Sequence, residues 1–199
     1  SHSFQSNKDK KSLNQIKANE SAIEERAKAE VQASLEAAAK GDANALVDMG
    51  VRCLKGHGVR KDPEKAVNYF SQAAKKKSPQ AMYHLGMCFL KGIGTQRNLS
   101  KAFQWFSRGA QRDEKLCVYY TGRCYQNGWG VSPSDSRAKE FFQKARNQKV
   151  PEAYCALGEI YLRQARKEDP EFFNHLAEYE FRDGIQQGCI NGWAWLGYI

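Results

Sequence analysis

The sequence has no apolar run approaching the roughly 18 residues that a membrane-spanning helix requires, and mean hydropathy is −0.72, so no membrane insertion is expected. It also has no Cys-x-x-Cys among its six cysteines. His84 with Cys88 is the one helical i, i+4 pair that could share a metal, and two ligands do not close a zinc site. Only four histidines occur (His2, His57, His84, His175), with no nucleophile in a recognised setting. Acid–base chemistry is therefore left without a constellation. No catalysis, metal, cofactor or small-molecule substrate is expected. Five prolines in 199 residues exclude proline-rich and collagen-like classes, and 27% charged with 12% aromatic residues excludes a wholly disordered chain. The chain opens Ser1-His2-Ser3 with no methionine and no apolar signal segment, which leaves a removed presequence, a cloning scar or an internal boundary as readings of that end.

What is present is positive charge, unevenly placed. The net charge is +9, but residues 1–50 carry −1, residues 51–149 carry +14 and residues 150–199 carry −4. A concentrated positive field attracts nucleic acid, acidic protein surfaces or anionic lipid, and is screened by salt.

The cysteines read as core residues. Cys53, Cys88, Cys124 and Cys155 fall among apolar neighbours such as Leu54, Met87, Phe89, Tyr125 and Leu157, where reduced cysteine acts as a small hydrophobe. Cys117 and Cys124 are seven apart on one expected helix, about 10 Å along its axis, too far for a mutual disulfide. Reduced cysteines favour an intracellular, reducing compartment, with a processed mitochondrial protein preferred to a cytoplasmic one.

The main signal is an internal repeat. Gly50, Gly86, Gly122 and Gly158 are each 36 residues apart, and the same interval relates Gly56, Gly92 and Gly128, then Gly58, Gly94 and Gly130, then Ala66, Ala102 and Ala138, then Phe70, Phe106 and Phe142. A period of this length is the mark of a helical repeat array. In each copy Ala45, Leu46, Met49 and Cys53, or their equivalents, form one buried stripe of a first helix. The Gly-x-Gly that follows ends the helix, because glycine enters the left-handed conformation without strain. Asp62-Pro63 or Ser134-Asp135 then caps a second helix. These glycines close a helix, whereas phosphate loops open one, so no nucleotide site is expected. Glycine inside the first helix costs about 1 kcal/mol relative to alanine, which makes sense where two helix backbones approach closely.

These residues resemble the Sel1-like repeats, relatives of tetratricopeptide repeats. Copy one carries Gly56-His57-Gly58-Val59, Asp62-Pro63-Glu64-Lys65-Ala66, Tyr69-Phe70 and Ala73-Ala74. Copy two carries Leu85-Gly86, Lys101-Ala102 and Trp105-Phe106, and copy three Arg137-Ala138 and Phe141-Phe142. The resemblance implies an all-α, right-handed α-α superhelix, a solenoid of helix-turn-helix repeats. The expected organisation is a disordered tail over 1–11, an N-terminal helix or cap over 12–42, and repeats over 43–78, 79–114, 115–150 and 151–189, with a partial fifth over 190–199. In copy four Gln164-Ala165-Arg166 replaces Gly-x-Gly and the next helix is displaced by three residues. The array stops inside a helix at Ile199, so either the natural chain continues or a partner covers that edge.

Repeat arrays act by presenting a surface, and the resemblance implies a non-catalytic scaffold or adaptor that binds other proteins within a multisubunit complex. By resemblance the first helices line the concave side, where Asn44, Val47, Gln80, Tyr83, Met87, Tyr119, Arg123, Gln126, Glu159 and Arg163 lie off the packing columns. Tyrosine and arginine there suit protein recognition, while Tyr83 and Tyr119 read equally well as packing residues. A second set, Lys75, Lys76, Lys77, Arg108, Arg112, Lys115, Lys144, Arg146 and Lys149, is expected as a ridge at the ends of the second helices. Such cations complement helix dipoles, or contact an anion. The alternative function is a structural RNA-associated subunit of an organellar ribonucleoprotein such as a mitochondrial ribosome, using this ridge on phosphates.

Overall fold

The computed structural model describes residues 2–197, with side chains from residue 10 onward. Ser1 of the expected tail and the last two residues of the expected fifth copy lie outside the described residues. The fold is all-α, a succession of helix hairpins, and no strand occurs among the described residues. The chain divides into two compact units, residues 1–76 and 77–199. The first holds α1 (His2–Ala39), α2 (Ala43–Lys55) and α3 (Pro63–Lys75). The second holds α4 (Pro79–Lys91), α5 (Leu99–Ala110), α6 (Lys115–Asn127), α7 (Asp135–Asn147), α8 (Pro151–Ala165), α9 (Pro170–Gln186) and the short α10 (Gly192–Leu196).

Of the helices that follow α1, all but α8 and α10 begin where a side chain takes up an orphan backbone N–H. Asp42, Asp62, Asn98 and Ser134 accept from the amide three residues on, at 2.8 to 3.2 Å, and Glu114 does the same for Cys117 at 2.6 Å. The first helices stop at Gly56, Gly92 and Gly128, which have φ of 74°, 69° and 70°. Each loop is then pinned by one backbone bond of 2.8 Å, Asp62 to Cys53, Asn98 to Phe89 and Ser134 to Tyr125. Three copies thus share one loop.

The glycine inside each first helix is a seat for a ring. A methyl group at Gly122 would lie 2.7 Å from Phe142 Cε1, and Gly50 and Gly86 meet Phe70 and Phe106 in the same way. All three phenylalanines are fully buried. Copy four keeps the arrangement with Gly158 and the fully buried Phe181, a partner that the 36-residue column misses because α9 is shifted by three residues.

The turn between repeats is also shared. Gly41, Lys77, Asp113, Lys149 and Gly188 all have positive φ, between 57° and 99°. The residue after the turn donates back five positions, as Glu114 does to Gly109 and Val150 to Ala145, each at 3.1 Å. Lys77 and Lys149 are therefore turn residues held in a conformation that costs L-residues about 1–2 kcal/mol.

Helix α1 starts at His2 and takes in residues 2–11, the segment expected as a tail, and no glycine or proline occurs before Gly41. One expectation is corrected here. Cys155, expected as a reduced core thiol, is joined to Cys189 in a disulfide across 34 residues. The end of α9 returns to the flank of α8 and brings the two Cα atoms to 6.8 Å. Cys53, Cys88, Cys117 and Cys124 are free and buried; the disulfide pair drops out of the premise for a reducing compartment.

Candidate functional site

In the second unit the first helices α4, α6 and α8 carry most of the residues expected on the concave side. Tyr83 on α4 and Tyr119 and Tyr120 on α6 are half-buried and form a ladder of rings. Tyr83 lies 5.2 Å from His84 and 5.9 Å from Tyr120, Tyr120 stacks on Phe106 at 5.0 Å, and Tyr119 meets Phe142 at 5.7 Å. The tyrosines thus lean on the same phenylalanines that fill the glycine seats. Burial pushes the Tyr83 and Tyr119 phenols up to about 12, with Arg123 pulling Tyr119 partly back. They stay neutral hydrogen-bonding groups at any physiological pH. Met87 packs partly buried against the same core. Gln80 is exposed, with its Oε1 accepting from Ser78 at 3.4 Å. Asn44 is exposed on α2 and belongs to the first unit.

Beyond the rings the face becomes polar. Arg123 donates to Gln126 Oε1 at 3.0 Å, Gln126 donates to Glu159 Oε2 at 3.4 Å, and Arg123 lies 3.9 Å from the same carboxylate. Burial is the strongest influence on Glu159 and raises its pKa above the ordinary 4.5, opposed by Arg123, Arg163 and Gln126. Arg163 is tied to Asp135 of α7 at 3.0 Å, and its Nε is buried without a hydrogen-bond partner.

Glu159 and Arg163 form one wall of a cavity of about 650 Å³, closed by Arg166, Asn174 of α9 and Trp195 of α10. Trp195 is itself held by stacking on Phe181 at 5.9 Å with 6° between the planes. A hollow with two guanidiniums, one carboxylate, one amide and an indole can bind a mixed polar and apolar side chain or chain segment. Arg166, Asn174 and Trp195 were not among the residues expected here. The cavity exists because α8, freed of the glycine loop, runs 15 residues against 13 in α4 and α6. The absence of Gly-x-Gly at 164–166 was the signal available.

The basic set is divided. Lys75 and Lys76 end α3 in the first unit. In the second unit Lys144 pairs with Asp113 at 2.5 Å. Arg146 is held by Glu180 at 2.7 Å and Asp183 at 3.0 Å, and packs over the Tyr154 and Tyr179 rings at 4.9 and 5.9 Å. Arg108 lies over Trp105 at 4.9 Å. Lys115 opens α6, although the sequence suggested a place at the end of a second helix. Arg112, Lys115 and Lys149 are exposed. Among the described residues no helix is long and apolar enough to cross a membrane, and no group of three potential metal ligands occurs.

Comparison with known proteins places this geometry. A family model described as Sel1 repeat matches residues 43–78, 79–114, 116–150 and 151–171. No curated protein matches the chain. Among solved structures, a Sel1 repeat protein from Oxalobacter formigenes is 27% identical with a TM-score of 0.75, covering 83% of this chain and 65% of its own. A protective antigen of uropathogenic Escherichia coli displaying an SLR fold is 23% identical with a TM-score of 0.76, covering 84% of this chain and 35% of its own. Helicobacter pylori cysteine rich protein B is 20% identical with a TM-score of 0.52, covering 66% of this chain and 94% of its own. The chain therefore spans just under two thirds of the Oxalobacter formigenes protein and about a third of the Escherichia coli antigen.

Proposed function

We propose, from the premise that the chain belongs to the Sel1 repeat family, that it is a non-catalytic adaptor gripping a protein segment along α4, α6 and α8. The observation that carries this is the run from neutral, half-buried tyrosines through the Arg123–Gln126–Glu159 network into the cavity walled by Arg163, Arg166 and Trp195. Rigid aromatic surface beside fixed charge is what recognition of a polypeptide requires. Nothing along this face unites a nucleophile, a base and an oxyanion site.

Membership of a multisubunit assembly in an organelle is part of the same proposal. The RNA-bound alternative draws on the basic set, where Lys144 and Arg146 are already neutralised within the second unit. Adaptor binding is the better supported reading.

The tyrosines are poor test positions because they also hold the core. Arg163→Glu with Arg166→Glu reverses the charge of the cavity wall and gives up only the solvent-exposed pair of Arg163 with Asp135. Affinity purification should lose the bound protein while the melting temperature stays within a few degrees. Retained binding would move the site off this face, and a complex that dissolves with nuclease would favour RNA.

A further inference from the structure

The first unit carries a surface that the adaptor face does not use. From Lys10 to Glu30 every residue of α1 is exposed, and Leu13, Ile16 and Ile23 are 50%, 53% and 68% exposed. At 100° per residue, Leu13, Ile16, Ile23, Ala27, Val31 and Ala38 fall within an arc of about 80°. Val31 and Ala38, at the C-terminal end of this stripe, are buried in the first unit. The same stripe therefore packs where repeats are present and continues bare for several turns beyond them. Single exposed aliphatics are ordinary, but a continuous helical row of them is an interface signal.

The charges choose the occupant. Residues 10–19 hold Lys10, Lys11 and Lys17 and no acid, whereas residues 20–30 hold Glu20, Glu24, Glu25 and Glu30 against Arg26 and Lys28. Within the helix Arg26 pairs with Glu30 and Lys28 with Glu25, which leaves Glu24 beside the stripe facing outward. We propose that α1 pairs antiparallel with α1 of a second copy of this chain. One register, centred on Glu20, sets Ile16 against Ile23, Leu13 against Ala27, and Lys17 against Glu24. Each contact occurs twice by the two-fold symmetry. A parallel pair would gather both copies' lysines at one end and both sets of glutamates at the other. Glu20 sits within the stripe and meets its own copy at the centre, so the pair is weak and reversible, like other helix pairs with a polar core position.

Sedimentation velocity on the full chain tests this. Over about 5 to 300 µM, the range expected for an interface of small area, a monomer–dimer equilibrium should appear. Ile16→Asp with Ile23→Asp should abolish it with the repeats still folded, and Glu20→Leu should tighten it by roughly tenfold or more. Lys17→Glu should weaken it roughly three- to tenfold, and adding Glu24→Lys to that variant should restore it, because the two changes regenerate the pair only between antiparallel copies. A chain that stays monomeric throughout, or dimerises equally well with both aspartates, overturns the proposal and leaves the stripe to another protein. Dimerisation that the swapped double variant fails to recover overturns the antiparallel register.

Discussion

Copy three (α6 and α7) and copy four (α8 and α9) lie side by side in the second unit and solve the same packing problem with different surroundings. Both place a buried phenylalanine on a helical glycine, Phe142 on Gly122 and Phe181 on Gly158. Copy three then closes with Gly128 and Gly130 and keeps Cys124 as a free thiol. Copy four lacks the glycine loop, extends both helices, ties Cys155 to Cys189 and places Glu180 under Arg146. The column that holds Arg123 in copy three holds Glu159 in copy four, and the two meet as an ion pair. The ring seat is what a repeat must keep. The loop, the helix length and the exposed column are free to vary, and there the cavity arises.

Breaking the seat should have the largest effect. Phe142→Ala and Phe181→Ala should each cost about 3–5 kcal/mol by urea denaturation. A clearly smaller loss at Phe181 would show that the disulfide and the Arg146 cluster have taken over its role. Next, Cys155→Ala with Cys189→Ala should cost about 3–4 kcal/mol for a 34-residue loop, and reducing agent should lower the melting point of the parent chain comparably. Cys124→Ala in copy three should cost less, about 1 kcal/mol for lost side-chain volume, and should make no difference to the response to reductant. The smallest effect tests the alternating column. Because the pKa of folded Glu159 lies above 4.5, the folded state binds its proton more tightly than the unfolded state. This contribution favours folding below pH 4.5 and is lost as pH rises through the raised value. Glu159→Gln should therefore match the parent at pH 4 and be the more stable at pH 7, measured by thermal melts across that range. A variant that is less stable at pH 7 would show that the ion pair with Arg123 outweighs burial.

The parts of this fold that are legible in the sequence are those where sterics admits one residue type. Glycine beneath a ring leaves a 36-residue trace because a Cβ there would collide with the phenylalanine, and glycine at positive φ because a side chain there is strained. Gly130 is a further case, since a Cβ there would run into the backbone of Leu99 and Ser100. Partnerships set by distance in space leave no such trace. Arg146 meets acids 34 and 37 residues away, and its sequence position resembles those of Lys75 and Arg108. The face residues lie in between: Tyr83 and Tyr119 stand on the expected helices, yet the contact of Tyr83 with Tyr120 depends on the stacking of one repeat on the next, and that of Tyr119 with Phe142 on the closure of its own hairpin.

By itself, then, the sequence determined the repeat and where the helices of its first three copies start and stop, because capping and left-handed glycine are local and act within a few residues. Tertiary structure alone decided the Cys155–Cys189 bond, the neutralisation of Lys144 and Arg146, and the cavity beside Trp195. Each of these needs groups from separate segments of the chain to meet, and for the disulfide, Arg146 and the cavity the three-residue shift of α9 moved those meetings off the period that made the rest readable.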